Sequence, residues 1–231
     1  MSTLADRIIA FNKQLKFTGA LPHGIHILNT FADSPLALEC SSAFYRKYYS
    51  DNQPRHLILG INPGRFGSGT TGIAFTDPKR LDAEWQARFK DNMTHEPSSD
   101  YVYQMIAQYG STVDFYKRFY INSVCPLGFT QNSATNTQIN YNYYDRADLK
   151  LAARPFIIDS IHKQIALGMH TDVCFCFGTG QNFKYLNDLN KQLHFFDRIV
   201  PLEHPRYIMQ YKAKSKQMYI DKYLEEFSIV G

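Results

Sequence analysis

The chain has 231 residues, 44% of them hydrophobic and 20% charged, with a formal net charge of +4. Those proportions exclude a disordered or collagen-like polymer, and the lack of any run of about eighteen apolar residues excludes a membrane-spanning helix. The modest positive charge fits a partner that carries phosphates without requiring one.

The first expected element is a helix over "TLADRIIAFNKQL", where Thr3 and Asp6 form a capping box and Leu4, Ile8, Phe11 and Leu15 share one face. Asp6 and Arg7 also interrupt the stretch that a secretory signal would keep apolar, so a cytoplasmic location is expected. A second helix follows over "SPLALECSSAFYRKYYS", with Ser34 as N-cap and Pro35 at the first helical position. A buried strand at about His56 to Ile61 comes next and runs into "NPGRFGSGTTG". Gly60, Gly64, Gly67, Gly69 and Gly72 fall within thirteen positions, too dense for a packed element and suggestive of backbone brought close to a ligand.

"FYINSVCPLGF" reads as another apolar strand leaving into a loop at Cys125 to Phe129, followed by the polar segment "TQNSATNTQINYN". A long helical pattern covers about Asp145 to Gly168, interrupted or kinked near Pro155. "TDVCFCFGTGQ" is a strand ending in glycine, "NFKYLNDLNKQL" a helix, "FFDRIVPLEHP" a strand, and about Tyr211 to Phe227 a final helix. Continuous apolar strands separated by helices predict an α/β fold, a three-layer α/β/α sandwich with a mainly parallel central sheet. It is expected to form one domain over residues 1–231, with the first fifty residues a helical extension packed on it.

In such sheets the ligand crevice lies outside the carboxyl ends of the strands. Four ends carry unusual residues: "NPGRFG" after Ile61, "CPLGF" after Val124, "GTGQN" after Phe177 and "EHPR" after Leu202. They should converge on one site. The glycine run lacks the G-K-[ST] ending of a phosphate-binding loop, and no G-x-G-x-x-G follows the strand, which weighs against a nucleotide-cofactor enzyme. Cys40, Cys125, Cys174 and Cys176 lack paired metal-ligand spacing, and Cys174 and Cys176 alternate on one strand face as small apolar side chains. His23 and His26 form an H-x-x-H pair with no third ligand evident nearby.

"GINPGRFGSGTTGIAF", followed by "INSVCPLGF" and "EHPR", resembles the uracil-DNA glycosylase superfamily, closest to its single-strand-selective monofunctional branch, as a divergent member of bacterial type. That branch carries G-x-N-P-G-x-F-G with T-G-x-x-F behind it, then C-P-L, then a histidine-proline motif near the C-terminus. The first segment matches without a gap from Gly60 to Phe75.

The resemblance implies a monofunctional DNA glycosylase that removes uracil, and other deaminated or oxidised bases, without metal or organic cofactor. Asn62 would position water, and His204 would donate a hydrogen bond to the base as negative charge builds on it. Phe75 would stack on the flipped base, and Gly64 would let the backbone approach it. The family's base-reading asparagine falls on Asn140 or Asn142, with Asn142 favoured because it sits nearer the helix start. In isolation Asn62 also suits a turn cap and Phe75 a core position.

DNA contacts are expected from Arg65, Arg206, Lys212 and Lys214, with Lys216 alongside and Tyr207 as a wedge. Relatives usually carry H-P-S-P-R-N-P where this chain has "HPRYIMQ", a departure that falls on the expected wedge. No lysine is placed as a Schiff-base nucleophile. The expected partner is damaged DNA, single-stranded and double-stranded, with no membrane, and the expected state is a monomer. The rival from another class is a non-catalytic nucleic-acid-binding module with a degenerate base pocket.

Overall fold

A computed structural model describes residues 2–133, 135 and 137–230. Helix α1 (Leu4–Gln14) opens on the Thr3–Asp6 capping box, and strand β1 (Ile25–Leu28) and a single turn, α2 (Thr30–Asp33), follow it. In α3 (Pro35–Tyr48) the Ser34 hydroxyl accepts from the Ala37 amide and Pro35 takes the first position, where its missing N–H costs nothing. Strand β2 (His56–Gly60) is buried throughout. Four helices cross over from it: α4 (Ser68–Thr71), α5 (Ala83–Arg88), α6 (Pro97–Tyr109) and α7 (Thr112–Arg118). The chain then returns in β3 (Phe119–Ser123).

Next come β4 (Gly128–Asn132), β5 (Gln138–Tyr141), α8 (Ala147–Ala166), β6 (Val173–Phe177), α9 (Gln181–Leu193) and β7 (Arg198–Leu202). The C-terminal part is α10 (Pro205–Tyr211) and α11 (Lys216–Phe227).

The central sheet has order β3-β2-β6-β7 and is parallel throughout. Helices cover it, which is why β2 and β6 read as continuous apolar runs while the edge strand β7 alternates. The chain moves from β2 to β3 on one side and then to β6 on the other. The carboxyl end of β2 therefore lies at a switch point, where loops part and leave a crevice. Beneath it, Phe119, Phe175 and Phe227 meet with ring centroids 4.7–5.8 Å apart. Leu57, Ile58 and Leu59 are fully buried, each contributing about 1.5–3 kcal/mol of apolar transfer. Leu4, Ile8 and Phe11 of α1 join the same core. Cys174 and Cys176 pack as apolar groups, and burial pushes the Cys176 thiol up to about 12.

Three expectations need correction. The loop expected at Cys125 to Phe129 ends early, because Gly128 begins β4, and much of the polar segment is strand: β4 pairs antiparallel with β1 and β5. This second sheet has an exposed outer strand, so its sequence lacks the apolar run that marks the first. Ala134 and Asn136, inside that segment, lie outside the described residues. Helix α8 continues across Pro155 without interruption. The final helix expected from about Tyr211 begins at Lys216, after a turn over Ala213–Ser215, and the stretch before it is a separate helix: α10 begins at Pro205, which presets the helical φ, and ends at Tyr211. Among the described residues no helix is long and apolar enough to cross a membrane.

One buried side chain ties the layers together. Asn182 of α9 donates to the Gly60 and Phe177 carbonyls at 3.3 and 3.1 Å and accepts from the Tyr143 hydroxyl at 2.8 Å. Asn182→Leu removes this partner from the Phe177 carbonyl and the Tyr143 hydroxyl and leaves the Gly60 carbonyl with the Val124 amide alone, and is expected to lower the unfolding free energy by about 2–4 kcal/mol in a denaturant titration. An unchanged midpoint would show that the three groups find other partners.

Candidate active site

Beyond β2 the backbone keeps pairing with its neighbour: Val124 N donates to Gly60 O at 2.9 Å and Cys125 N to Ile61 O at 3.1 Å. That extension carries the Cys125–Leu127 segment alongside Asn62. The Asn62 amide is then held on three backbone atoms. Nδ2 donates to the Pro63 and Tyr141 carbonyls at 3.2 and 3.1 Å, and Oδ1 accepts from Tyr143 N at 3.0 Å. The orientation is fixed, and one Oδ1 lone pair remains for a water.

Phe75 has φ of +52°, a left-handed conformation rare for an aromatic residue. The turn that imposes it closes on Thr71, whose hydroxyl donates to Thr76 O at 2.6 Å and accepts from Ile73 N at 3.2 Å. The Phe75 ring meets Phe177 edge-on at 5.4 Å and lies 5.6 Å from the His204 ring. Its other contact explains Gly60: a Cβ there would stand 2.9 Å from the Phe75 ring. Part of the glycine density thus serves contacts inside the protein.

His204 caps α10. Its Nδ1 accepts from Arg206 N at 3.1 Å, which requires the neutral tautomer with the proton on Nε2. Burial, reinforced by the Arg206 charge, lowers the imidazole pKa to about 4, so the ring is a neutral donor at physiological pH. Glu203 pairs with Lys222 at 3.0 Å, while its carbonyl accepts from the Tyr223 hydroxyl. The neighbouring acid holds the motif to α11 and does not orient His204.

These groups surround two joined chambers. The outer, about 470 Å³, is lined among others by Asn62, Gly64, Phe66, Glu96, Asn140, Asn142, His204, Arg206 and Met209. The inner, about 40 Å³, is lined by Ile61, Asn62, Gly64, Ser68, Ala74, Phe75, Glu96, Ser123 and His204. Asn62, Gly64, Phe75 and His204 therefore meet at the inner chamber, while Asn140 and Asn142 line only the outer one. Asn140 accepts from Arg65 N at 3.1 Å, and Asn142 is held by Asp145, accepting no bond on its own Oδ1 among the described residues.

The expected DNA contacts divide. Arg206 lines the mouth, and the Arg65 guanidinium sits over the Phe66 ring at 5.2 Å. Tyr207, 43% exposed, stands beside Tyr211 on the outer face of α10, with ring centroids 5.6 Å apart. Lys212 and Lys214 are exposed beyond that helix and Lys216 is half-buried; none of the three lines either chamber.

Sequence reasoning missed Phe66, Met209 and Glu96. Phe66 lies inside the recognised motif and Met209 just past the histidine, so position flags both. Glu96 carries no such signal. His23 and His26 form no metal cluster among the described residues; the group with ligand-like spacing is His56, His170 and Asp172, at the amino end of β2, away from the chambers at its carboxyl end. There His56 Nδ1 already donates to Val173 O at 3.3 Å.

The family model described as "Uracil DNA glycosylase superfamily" matches residues 46–228. The chain is also similar to a solved structure, the crystal structure of wild-type SMUG2 from Pedobacter heparinus. The two share 55% identity over 99% of this chain and 98% of that one, with a TM-score of 0.95. A search of curated proteins gives no match.

Two measurements test this geometry. Gly60→Ala must displace the Phe75 ring, which is expected to cost about 1–3 kcal/mol of stability and to shift the aromatic proton resonances of Phe75 and Phe177; unchanged resonances would contradict the contact. In an NMR titration His204 is expected to stay neutral down to about pH 4, and Arg206→Ala to raise its midpoint. A midpoint near the ordinary histidine value would refute the buried tautomer.

Proposed function

The chain belongs to the uracil DNA glycosylase superfamily and is a DNA glycosylase, and we propose that Asn62 and His204 carry the reaction, hydrolysis of the N-glycosidic bond of uracil to leave an abasic site. The observation that supports the assignment most is the convergence of the two on one small chamber floored by Phe75.

Heterolysis of that bond leaves positive charge on the sugar and negative charge on the base. A glycosylase must therefore stabilise the departing base and deliver water to the sugar. The Nε2–H of His204 supplies the first need. Since the ring is neutral beforehand, its hydrogen bond strengthens as charge develops on the base oxygen and adds little to ground-state binding. Asn62 supplies the second through its unshared Oδ1 lone pair. An amide orients water but is a poor base, which suits a barrier dominated by bond departure.

Phe75 offers its ring to the extruded base, and Gly64 keeps side-chain bulk out of the entrance. Asn142 and Asn140 line the outer chamber, where they meet the nucleotide on its way in; Asn142, with Oδ1 unshared, is the better placed to hydrogen-bond the base. Arg65, Arg206, Lys212 and Lys214 contact phosphates, and Tyr207, exposed on α10, fills the gap behind the flipped nucleotide.

We extend the proposal to single-stranded and double-stranded substrates, to other deaminated or oxidised bases, and to a cytoplasmic monomer folded as one domain. Among the described residues no lysine lines either chamber, in keeping with hydrolysis without lyase action. The rival, a binding module with a degenerate pocket, is disfavoured because water-positioning and charge-stabilising groups are both present and oriented.

The test is excision from a labelled single-stranded oligonucleotide carrying one uracil, with chelator present. Strand cutting that needs alkali supports metal-independent, monofunctional hydrolysis. Asn62→Ala and His204→Ala are each expected to slow single-turnover excision by about 100-fold or more. Excision intact in both variants would remove the assigned roles, and no excision by the wild type would favour the binding module.

A further inference from the structure

Among the described residues, Glu96 is the one carboxyl group that lines both chambers. It precedes Pro97 at the start of α6, and its backbone N–H donates to Asp77 Oδ2 at 2.8 Å, which fixes the residue against the pocket wall. Among the described residues neither carboxyl oxygen has a hydrogen-bond partner, and Oε2 is buried. The close contact of that oxygen is Gly67, with φ of +65°, where a Cβ would stand 1.9 Å from Oε2. A glycine in the recognised motif thus makes room for this carboxyl group.

We infer that Glu96 reads the edge of the flipped base as a neutral carboxylic acid. The inference rests on the two chambers being the base pocket. A protonated carboxyl presents one O–H donor beside one C=O acceptor, the same pairing that a side-chain amide offers to a pyrimidine edge. Among the described residues the inner chamber has no side-chain amide besides Asn62, whose N–H groups are committed to backbone carbonyls. The carboxyl group fills that role. Ionised, it would place a negative charge against a base leaving as an anion and oppose the reaction.

The surroundings favour the neutral form. Burial, and then the Asp77 charge, push the Glu96 carboxyl up to about 7, with Arg206 acting against them. Other charged or titratable neighbours are His204 across the chamber, kept neutral, His95, on Asp77 Oδ2 at 3.2 Å, and Arg80, paired with Asp77 and Asp100. A bound base excludes water and disfavours the carboxylate further. The alkaline limb of kcat/KM should therefore lie near pH 7, and that of kcat higher.

The experiment is single-turnover excision of uracil from single-stranded DNA by wild type, Glu96→Gln and Glu96→Ala between about pH 6 and about pH 9, with thermal melts as a folding control. The wild-type kcat/KM is expected to fall toward about tenfold per pH unit above pH 7. Glu96→Gln, which keeps a donor and an acceptor but cannot ionise, starts a few-fold slower, does not fall, and overtakes the wild type. Glu96→Ala is slow throughout. A Glu96→Gln profile parallel to the wild type, or a Glu96→Ala variant as fast as it, overturns the inference.

A second readout does not need turnover: the Glu96 carboxyl carbon followed by NMR, with Glu96→Gln for assignment. Adding free uracil should raise its midpoint, and a midpoint unmoved by saturating uracil counts against the contact. Absence of excision with a uracil-dependent midpoint would remove the catalytic reading and leave the base contact standing.

Discussion

The pocket depends on how the carboxyl end of β2 is fastened. Two asparagines do it from opposite sides. Asn182 reaches from α9 to the Gly60 carbonyl and to the Tyr143 hydroxyl, and Asn62 reaches from the strand's end to the backbone of residues 141 and 143. Strand end and following loop are thereby tied together by side chains whose polar groups are satisfied on both sides of the joint. The water-positioning side chain proposed for the reaction is thus also a structural clamp, and its preorganisation comes from hydrogen bonds that exist before any substrate arrives.

On that frame the protein holds groups in states that cost stability elsewhere. Phe75 sits at positive φ, the His204 pKa is held well below its ordinary value, and a glutamate lies in the pocket wall with no hydrogen-bond partner among the described residues. Each is unfavourable taken singly. Together they make a chamber with an aromatic floor, a neutral imidazole donor and a carboxyl group whose ionisation is disfavoured, which is the setting the proposed reaction requires. Arg206 acts on two of them at once, lowering the imidazole pKa and restraining the rise at Glu96.

The second sheet explains why the outer chamber is walled by a hairpin. Strands β1, β4 and β5 place Asn140 at the strand end that faces the glycine loop, so that it accepts from the Arg65 amide. The loop and the hairpin therefore brace each other. The short α10 does the corresponding work on the other rim, its first turn capped by His204 and its outer face carrying exposed tyrosines.

Much of this was written along the chain. The buried strands announced themselves because a parallel sheet covered on both faces demands unbroken apolar runs, and helices α1 and α3 because their caps are local chemistry. Asn62, Phe75 and His204 were legible through the resemblance of their motifs to those of the glycosylase superfamily; taken singly, the first reads as a turn cap and the second as a core residue. The antiparallel hairpin was not, since its outer strand faces solvent and carries no apolar pattern, and neither was the break between α10 and α11. Glu96 was beyond reach of the sequence: nothing near it is periodic, and its meaning comes from Asp77, Gly67 and His204, distant in the chain and adjacent only in the fold. Local chemistry determined the strands, the caps and the residues that follow them. Tertiary structure alone decided which polar groups lost their water together, and desolvation is what raises the pKa of an ordinary glutamate and lowers that of an ordinary histidine at the same chamber.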